Sequence, residues 1–265
     1  MRLPAAAGPY NFYPDDEAEL GRQLGDMLPR AEEMPIIGGV VPHAGYIYSG
    51  AIAGEVYSRL PRRDTFVILG PNHRPELGSP VALSRESWRT PLGVVQTDLE
   101  LAEALAGTII DQDEIAHQRE HSIEVQIPFL QRRFQDFKIL PISMGMQDEE
   151  TAVEVGQELG RAICSLKRDC TVIASSDFTH YKPQEVARKV DSQLMEAILN
   201  MDVPELYSRV YRYDATSCGH GPIAATITAS AIMGATSGKL LRYATSGDVS
   251  GDYGQVVGYG AIVFT

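Results

Sequence analysis

Three short apolar runs in this sequence each stop at a loop that carries a histidine. Residues 36–41 lead into Pro42-His43-Ala44-Gly45. Residues 65–69 lead into Gly70-Pro71-Asn72-His73, and residues 171–174 into Ser175-Ser176-Asp177-Phe178-Thr179-His180. A tight turn, Ser217-Cys218-Gly219-His220-Gly221-Pro222, adds a thiol. Imidazole, carboxylate and thiolate are all metal-ligand types. Two imidazoles plus one anionic ligand, with positions left open for water or substrate, is the arrangement of iron oxygenases and of many metal hydrolases. The candidates are therefore His43, His73, Asp177, His180 and Cys218, with His121 and His220 behind them. On residue types alone the anion is either Asp177 or Cys218. A thiolate would shift preference toward Fe(II), Cu(I) or Zn(II) and away from magnesium. Asp177 and His180, three apart in one loop, suit an acid/base pair or an orienting carboxylate for an imidazole.

The elements that must position these groups follow from pattern. The runs at 36–41, 65–69 and 171–174 are short and β-branched, which suits buried strands, and in open α/β sheets ligands bind just beyond the carboxyl ends of such strands. Strands are also expected at 138–142, 240–244 and 256–264, with a hairpin or edge strands through Trp88 and Val94-Val95. Helices are expected from Asp15 or Asp16 to about 28, over 50–60, from Thr97 or Asp98 to about 106, from Asp148 to about 166, and over 183–200, 203–211 and 223–233. That reading leaves Tyr46, Tyr48 and Ser49 between strand and helix. A further helix is expected from Glu120 through Leu130. His121 and Glu124 would share its face as a ligand pair or proton relay, while acids in its first turn would suit the macrodipole whatever the function. A helix starting after Cys218 points its positive end at the sulfur and is expected to lower the thiol pKa. The glycine-rich loop 245–254 leads into a strand rather than a helix, so it is no phosphate cradle. Neither GxGxxG nor the GxSxG nucleophile elbow occurs.

Composition narrows the classes. With 23 basic residues against 35 acidic ones, a formal charge of −12 and no basic cluster, nucleic acid is an unsuitable partner. No apolar stretch approaches the ~20 residues of a spanning helix, so no membrane partner is expected. Cys164, Cys170 and Cys218 are odd in number and lack CxxC spacing, which argues against a disulfide framework; with no apolar leader at the start, a cytosolic location is expected. The histidine loops are spread along 265 residues with no linker between them, so one domain over 1–265 is expected.

The motifs PHAGYIYSG, GPNH, EHSIEVQIPFLQ, SSDFTHY, CGHGPI and TSGDVSGDYGQVVGYGA, in that order, resemble the Memo family, whose microbial members are also called AmmeMemoRadiSam system protein B. The resemblance spans nearly the whole chain. It implies similarity to the class III extradiol (LigB-like) dioxygenases, hence a three-layer α/β/α domain around a mixed β-sheet. It also implies that His43, His73 and Cys218 are metal-site positions, with Asp177 and His180 beside them, His180 where the dioxygenases keep a base and His121 as a pocket histidine. Cys218 stands where those enzymes use a carboxylate, so ring cleavage does not carry over. Family members are linked to iron or copper and redox activity, and animal members to phosphotyrosine-peptide binding. The expected function is thus metal-dependent redox chemistry on a small molecule, with Fe(II) first and Cu or Zn as the other options. The alternative from a different class is a non-catalytic pocket that holds a peptide or anionic ligand, with or without metal. A zinc hydrolase would need a clear carboxylate base next to the ligands, which the sequence does not offer.

Overall fold

The computed structural model describes residues 1–8 and 11–265. In chain order the elements are α1 (Glu17–Met27), β1 (Gly38–Val41), α2 (Tyr46–Tyr57), β2 (Thr65–Pro71), β3 (Val81–Leu83), β4 (Trp88–Thr90), β5 (Gly93–Thr97), α3 (Leu99–Ala104) and β6 (Asp111–Gln112). There follow α4 (Ile127–Arg133), β7 (Lys138–Met144), α5 (Glu149–Leu166), β8 (Cys170–Ser175), β9 (His180–Lys182), α6 (Gln184–Leu199), α7 (Val203–Arg212), α8 (His220–Ile232), β10 (Gly238–Thr245), α9 (Gly247–Ser250) and β11 (Val256–Phe264).

The strands form one mixed sheet in the order β10-β11-β1-β8-β2-β7-β3-β6. Its centre is parallel: β1 pairs with β8, β8 with β2 and β2 with β7, while β11 runs antiparallel to both β1 and β10. The three strands that feed the histidine loops are therefore neighbours and point the same way. Successive side chains on a strand face opposite sides, and both sides here are apolar. Val40, Val67, Leu69, Val172 and Ala174 pack with residues of α3, α5, α6, α7 and α8. Val41, Phe66, Ile68 and Ile173 pack with residues of α1, α2 and α4 on the other side. The result is the expected α/β/α sandwich, with helices covering both faces as a parallel sheet requires. Among the described residues no helix is long and apolar enough to cross a membrane.

Several boundaries depart from the sequence reading. α2 begins at Tyr46, so Tyr46, Tyr48 and Ser49 lie in its first turns and not ahead of it; Gly45 ends the loop, and Tyr46 N donates outside the helix to Phe12 O at 2.8 Å. The helix expected over 120–130 starts only at Ile127, preceded by a 3₁₀ turn over Glu124–Gln126. Pro128 accounts for the late start, because its missing N–H and ring are tolerated only in a first helical turn. His121 and Glu124 consequently do not share a helix face. The loop 245–254 contains the short α9, and β9, which sequence patterning did not indicate, pairs with β11 behind His180.

Candidate metal centre

β1, β8 and β2 deliver their loops to one point at the carboxyl edge of the sheet. There the ring centroids of His43 and His73 are 5.3 Å apart, those of His43 and His121 5.4 Å, and those of His73 and His121 4.6 Å. One ring nitrogen from each of the three lies within 4.8 Å of the others, the spacing of a group able to hold a metal ion. His121 thus joins His43 and His73, although the sequence placed it behind them, as a pocket histidine or as a ligand or relay partner of Glu124.

Hydrogen bonds settle which nitrogen His43 and His73 present. Ser175 Oγ donates its single proton to Ser122 O at 2.6 Å and accepts from Gln126 Nε2 at 2.8 Å. The 3.0 Å contact between His43 Nδ1 and Ser175 Oγ can then be made only with Nδ1 as the donor, which leaves Nε2 as the lone pair. For His73, Nδ1 sits 3.0 Å from Glu120 Oε1, and for His121, Nδ1 sits 3.4 Å from the same oxygen. The Glu120 carboxylate hydrogen-bonded to His73 Nδ1 directs the Nε2 of that ring away from itself, the usual outer partner of a metal-bound histidine, and it lies next to His121 Nδ1 as well.

Glu120 is the functional residue that sequence reasoning did not single out. It is buried, and its carboxylate also accepts from the backbone N–H groups of His73 at 2.7 Å and of His121 and Ser122 at 2.8 Å. Burial opposes its charge, yet the bonds and charges of His73 and His121 and the Ser122 amide win, holding its carboxyl well below the usual range. The sequence clue was its position directly before His121; its partner His73 lies 47 residues away.

Protonation differs from ring to ring. Burial, followed by the charges of His121 and His73, keeps His43 well below the ordinary imidazole value. Burial lowers His121 to about 4 against the opposing pull of Glu120. For His73 burial also lowers, but the hydrogen bond and charge of Glu120 and the charge of Asp177 reverse the sign, and the net shift is upward.

The thiol and the acid pair surround this cluster. Cys218 Sγ lies 3.2 Å from His43 Nε2 and 3.6 Å from Asp177 O, touching the group on the His43 side. Gly219 lets α8 seat this closely, since a Cβ there would stand 2.7 Å from Ser176 Cβ. The expected lowering of the thiol pKa is not found: burial first, and the charge of Asp177 second, push it up. Desolvation of an anion outweighs one helix end when no cation is beside it. Asp177 Oδ1 accepts from His43 N at 2.8 Å, and its Oδ2 is 4.0 Å from His43 Nε2. Burial raises its pKa to about 6, against the amides of His43 and Ala44 and the charge of His180. His180 is tied through Nδ1 to Phe178 O at 2.8 Å and Thr216 O at 2.9 Å, and its Nε2 has no hydrogen-bond partner among the described residues. His220 turns away, edge-on to Tyr207 of α7 at 5.6 Å. Glu124, the other half of the expected relay, is buried against Arg2 at 2.7 Å and does not face the histidines.

Comparison with known proteins agrees with the motif pattern. The family profile described as Memo-like protein matches residues 2–263. The chain belongs to the Memo family. A MEMO1 family protein of Methanosarcina barkeri is 53% identical over 266 residues, covering 99% of both chains. One from Archaeoglobus fulgidus is 50% identical over 264 residues, covering 100% of this chain and 99% of its own. In solved structures, an uncharacterized protein from Escherichia coli K12 shares the fold at a TM-score of 0.54 and 13% identity, over 86% of this chain and 99% of that one.

Proposed function

We propose that this Memo-family protein holds one metal ion through Nε2 of His43, His73 and His121, with Cys218 as a further donor, and uses it in redox chemistry on a small molecule. The observation that carries the reading is the set of three imidazoles with one ring nitrogen from each within 4.8 Å of the others, Nδ1 of His43 and of His73 being hydrogen-bonded to protein partners and that of His121 lying 3.4 Å from Glu120. The donor set fits a borderline ion: imidazoles beside one sulfur donor suit iron, copper or zinc, of which we take Fe(II) first. When bound, such an ion supplies Lewis acidity and, for iron or copper, electrons. The protein's own groups supply the rest. Asp177, buried with a pKa of about 6, can hold or release a proton near neutrality, and His180 offers an unengaged Nε2 beside it. A groove of about 660 Å³, walled in part by Phe12, Gly45, Ile47 and Tyr48, adjoins the His43 loop and is large enough for a small molecule. Three free cysteines support a cytosolic setting.

A second reading, a non-catalytic pocket for a peptide or anionic ligand, draws on His73, which Glu120 and Asp177 bias toward its cationic form. Anaerobic metal titration separates the two. We expect Cys218→Ser to lose much of its affinity for Fe(II) or Cu(I) while Cys164→Ser and Cys170→Ser stay near wild type, and the bound metal to change oxidation state with O₂. A folded protein that takes up no metal supports the binding module instead.

A further inference from the structure

The segment ahead of α1 reaches the histidine cluster from outside. Phe12 lays its ring on His121, with centroids 4.0 Å and planes 23° apart, and His121 stacks in turn on His73 at 4.6 Å and 22°. Three rings make one stack, and the outer face of His121 is covered by a ring with no donor atom. Phe12 is itself held at both ends, its N–H donating to Ala6 O at 3.0 Å and its carbonyl accepting from Tyr46 N at 2.8 Å. Arg2 secures the loop that carries His121: Nε donates to His117 O at 2.8 Å, Nη2 to Glu120 O at 2.6 Å and Nη1 to Glu124 Oε2 at 2.7 Å. Glu124 is then filled by Ala5 N, Ala6 N and the Tyr13 hydroxyl. This buried network joins the leading segment to the His121 loop.

His121 needs that support more than its neighbours do. His43 and His73 each have an Nδ1 contact of 3.0 Å, whereas the ring of His121 reaches Glu120 only at 3.4 Å. We propose that Phe12 is a positioning residue for the metal centre, clamping His121 against His73, with Arg2 fixing the backbone beneath it. The proposal rests on the three-histidine reading given above. Without the clamp, His121 samples other rotamers, and ordering it becomes a cost of metal capture.

Co(II) titration, followed by visible absorption, tests this with wild type, Phe12→Ala and Phe12→Tyr, each with and without His121→Ala. Phe12→Ala should weaken Co(II) binding about tenfold, the lower end of effects from outer partners of metal ligands. Phe12→Tyr should restore it, and Phe12→Ala should cost nothing further once His121 is alanine. Equal losses in both backgrounds, or no loss in either, overturn the proposal. Wild type that takes up no Co(II) refutes the metal reading, and the clamp is then judged by the imidazole NMR resonances of the metal-free protein. There Phe12→Ala should shift the ring signals of His121 far more than those of His180; equal shifts overturn it.

Discussion

Glu120 and Asp177 are both buried carboxylates beside histidines, yet they do different work. Glu120 gathers the N–H groups of His73, His121 and Ser122 together with the His73 and His121 rings. A glutamine there would offer one acceptor oxygen where two are in use, and would turn an NH₂ toward donors. We expect Glu120→Gln to weaken metal binding by roughly tenfold to a hundredfold, read by titration on protein shown to be folded by circular dichroism. Asp177 accepts only from backbone amides, His43 N at 2.8 Å and that of Ala44, and asparagine keeps an acceptor oxygen for them. Asp177→Asn should therefore keep metal affinity within about threefold while removing the group of pKa about 6; loss of metal from a folded Asp177→Asn protein would make Asp177 a ligand. The sequence showed Asp177 through its three-residue spacing to His180. It could not show Glu120, because a carboxylate's worth depends on neighbours that only folding brings to it.

At the scale of elements, two contacts carry checkable consequences. α1 lies so close on α2 that a Cβ on Gly54 would stand 1.9 Å from Met27 O, a backbone atom that cannot move alone. Gly54→Ala should lower stability by roughly 1–3 kcal/mol, the usual cost of overpacking, seen as a lower urea midpoint with metal binding by the folded fraction unchanged. The turn over Ile115–His117 buries His117, whose Nε2 meets Ala82 O at 3.1 Å and whose Nδ1 has no partner among the described residues. Burial first, and the charge of Arg2 second, lower its pKa to about 4. Between the ordinary value near 6.5 and that lowered value the unfolded chain binds a proton that the folded chain refuses. Stability is then lost as pH falls through this window, by on the order of 3 kcal/mol. Urea midpoints at about pH 7 and pH 4.5 should fall less steeply in His117→Gln than in wild type; equal slopes would show that His117 does not carry the acid sensitivity. Apolar runs punctuated by loops made the strands legible, and Asp16, Asp98 and Asp148 marked their helices, each accepting the N–H three residues on. The helix expected at 120 failed because its apolar periodicity continues through Pro128, and periodicity does not register a missing N–H.

Across the molecule, a sheet with a parallel centre gathers distant sequence segments into one pocket. β1, β8 and β2 are neighbours in space but not in sequence order, so His43, His73 and Asp177 meet although loops and helices separate them. That convergence was legible from the repeated strand-to-histidine pattern. The stacking of His121 on His73 and the seating of Arg2 and Phe12 against its loop were not, since both arise from contacts between segments without shared periodicity. The chain's formal charge of −12 suits cation capture in general, whereas His43, His73 and His121 offer one specific place. The most direct measurement is an anomalous difference map from crystals grown anaerobically with Fe(II) or Zn(II). The account predicts one strong peak bonded to the Nε2 atoms of His43, His73 and His121 at about 2.0–2.2 Å. A folded protein whose only metal peaks lie away from these three nitrogens would contradict it.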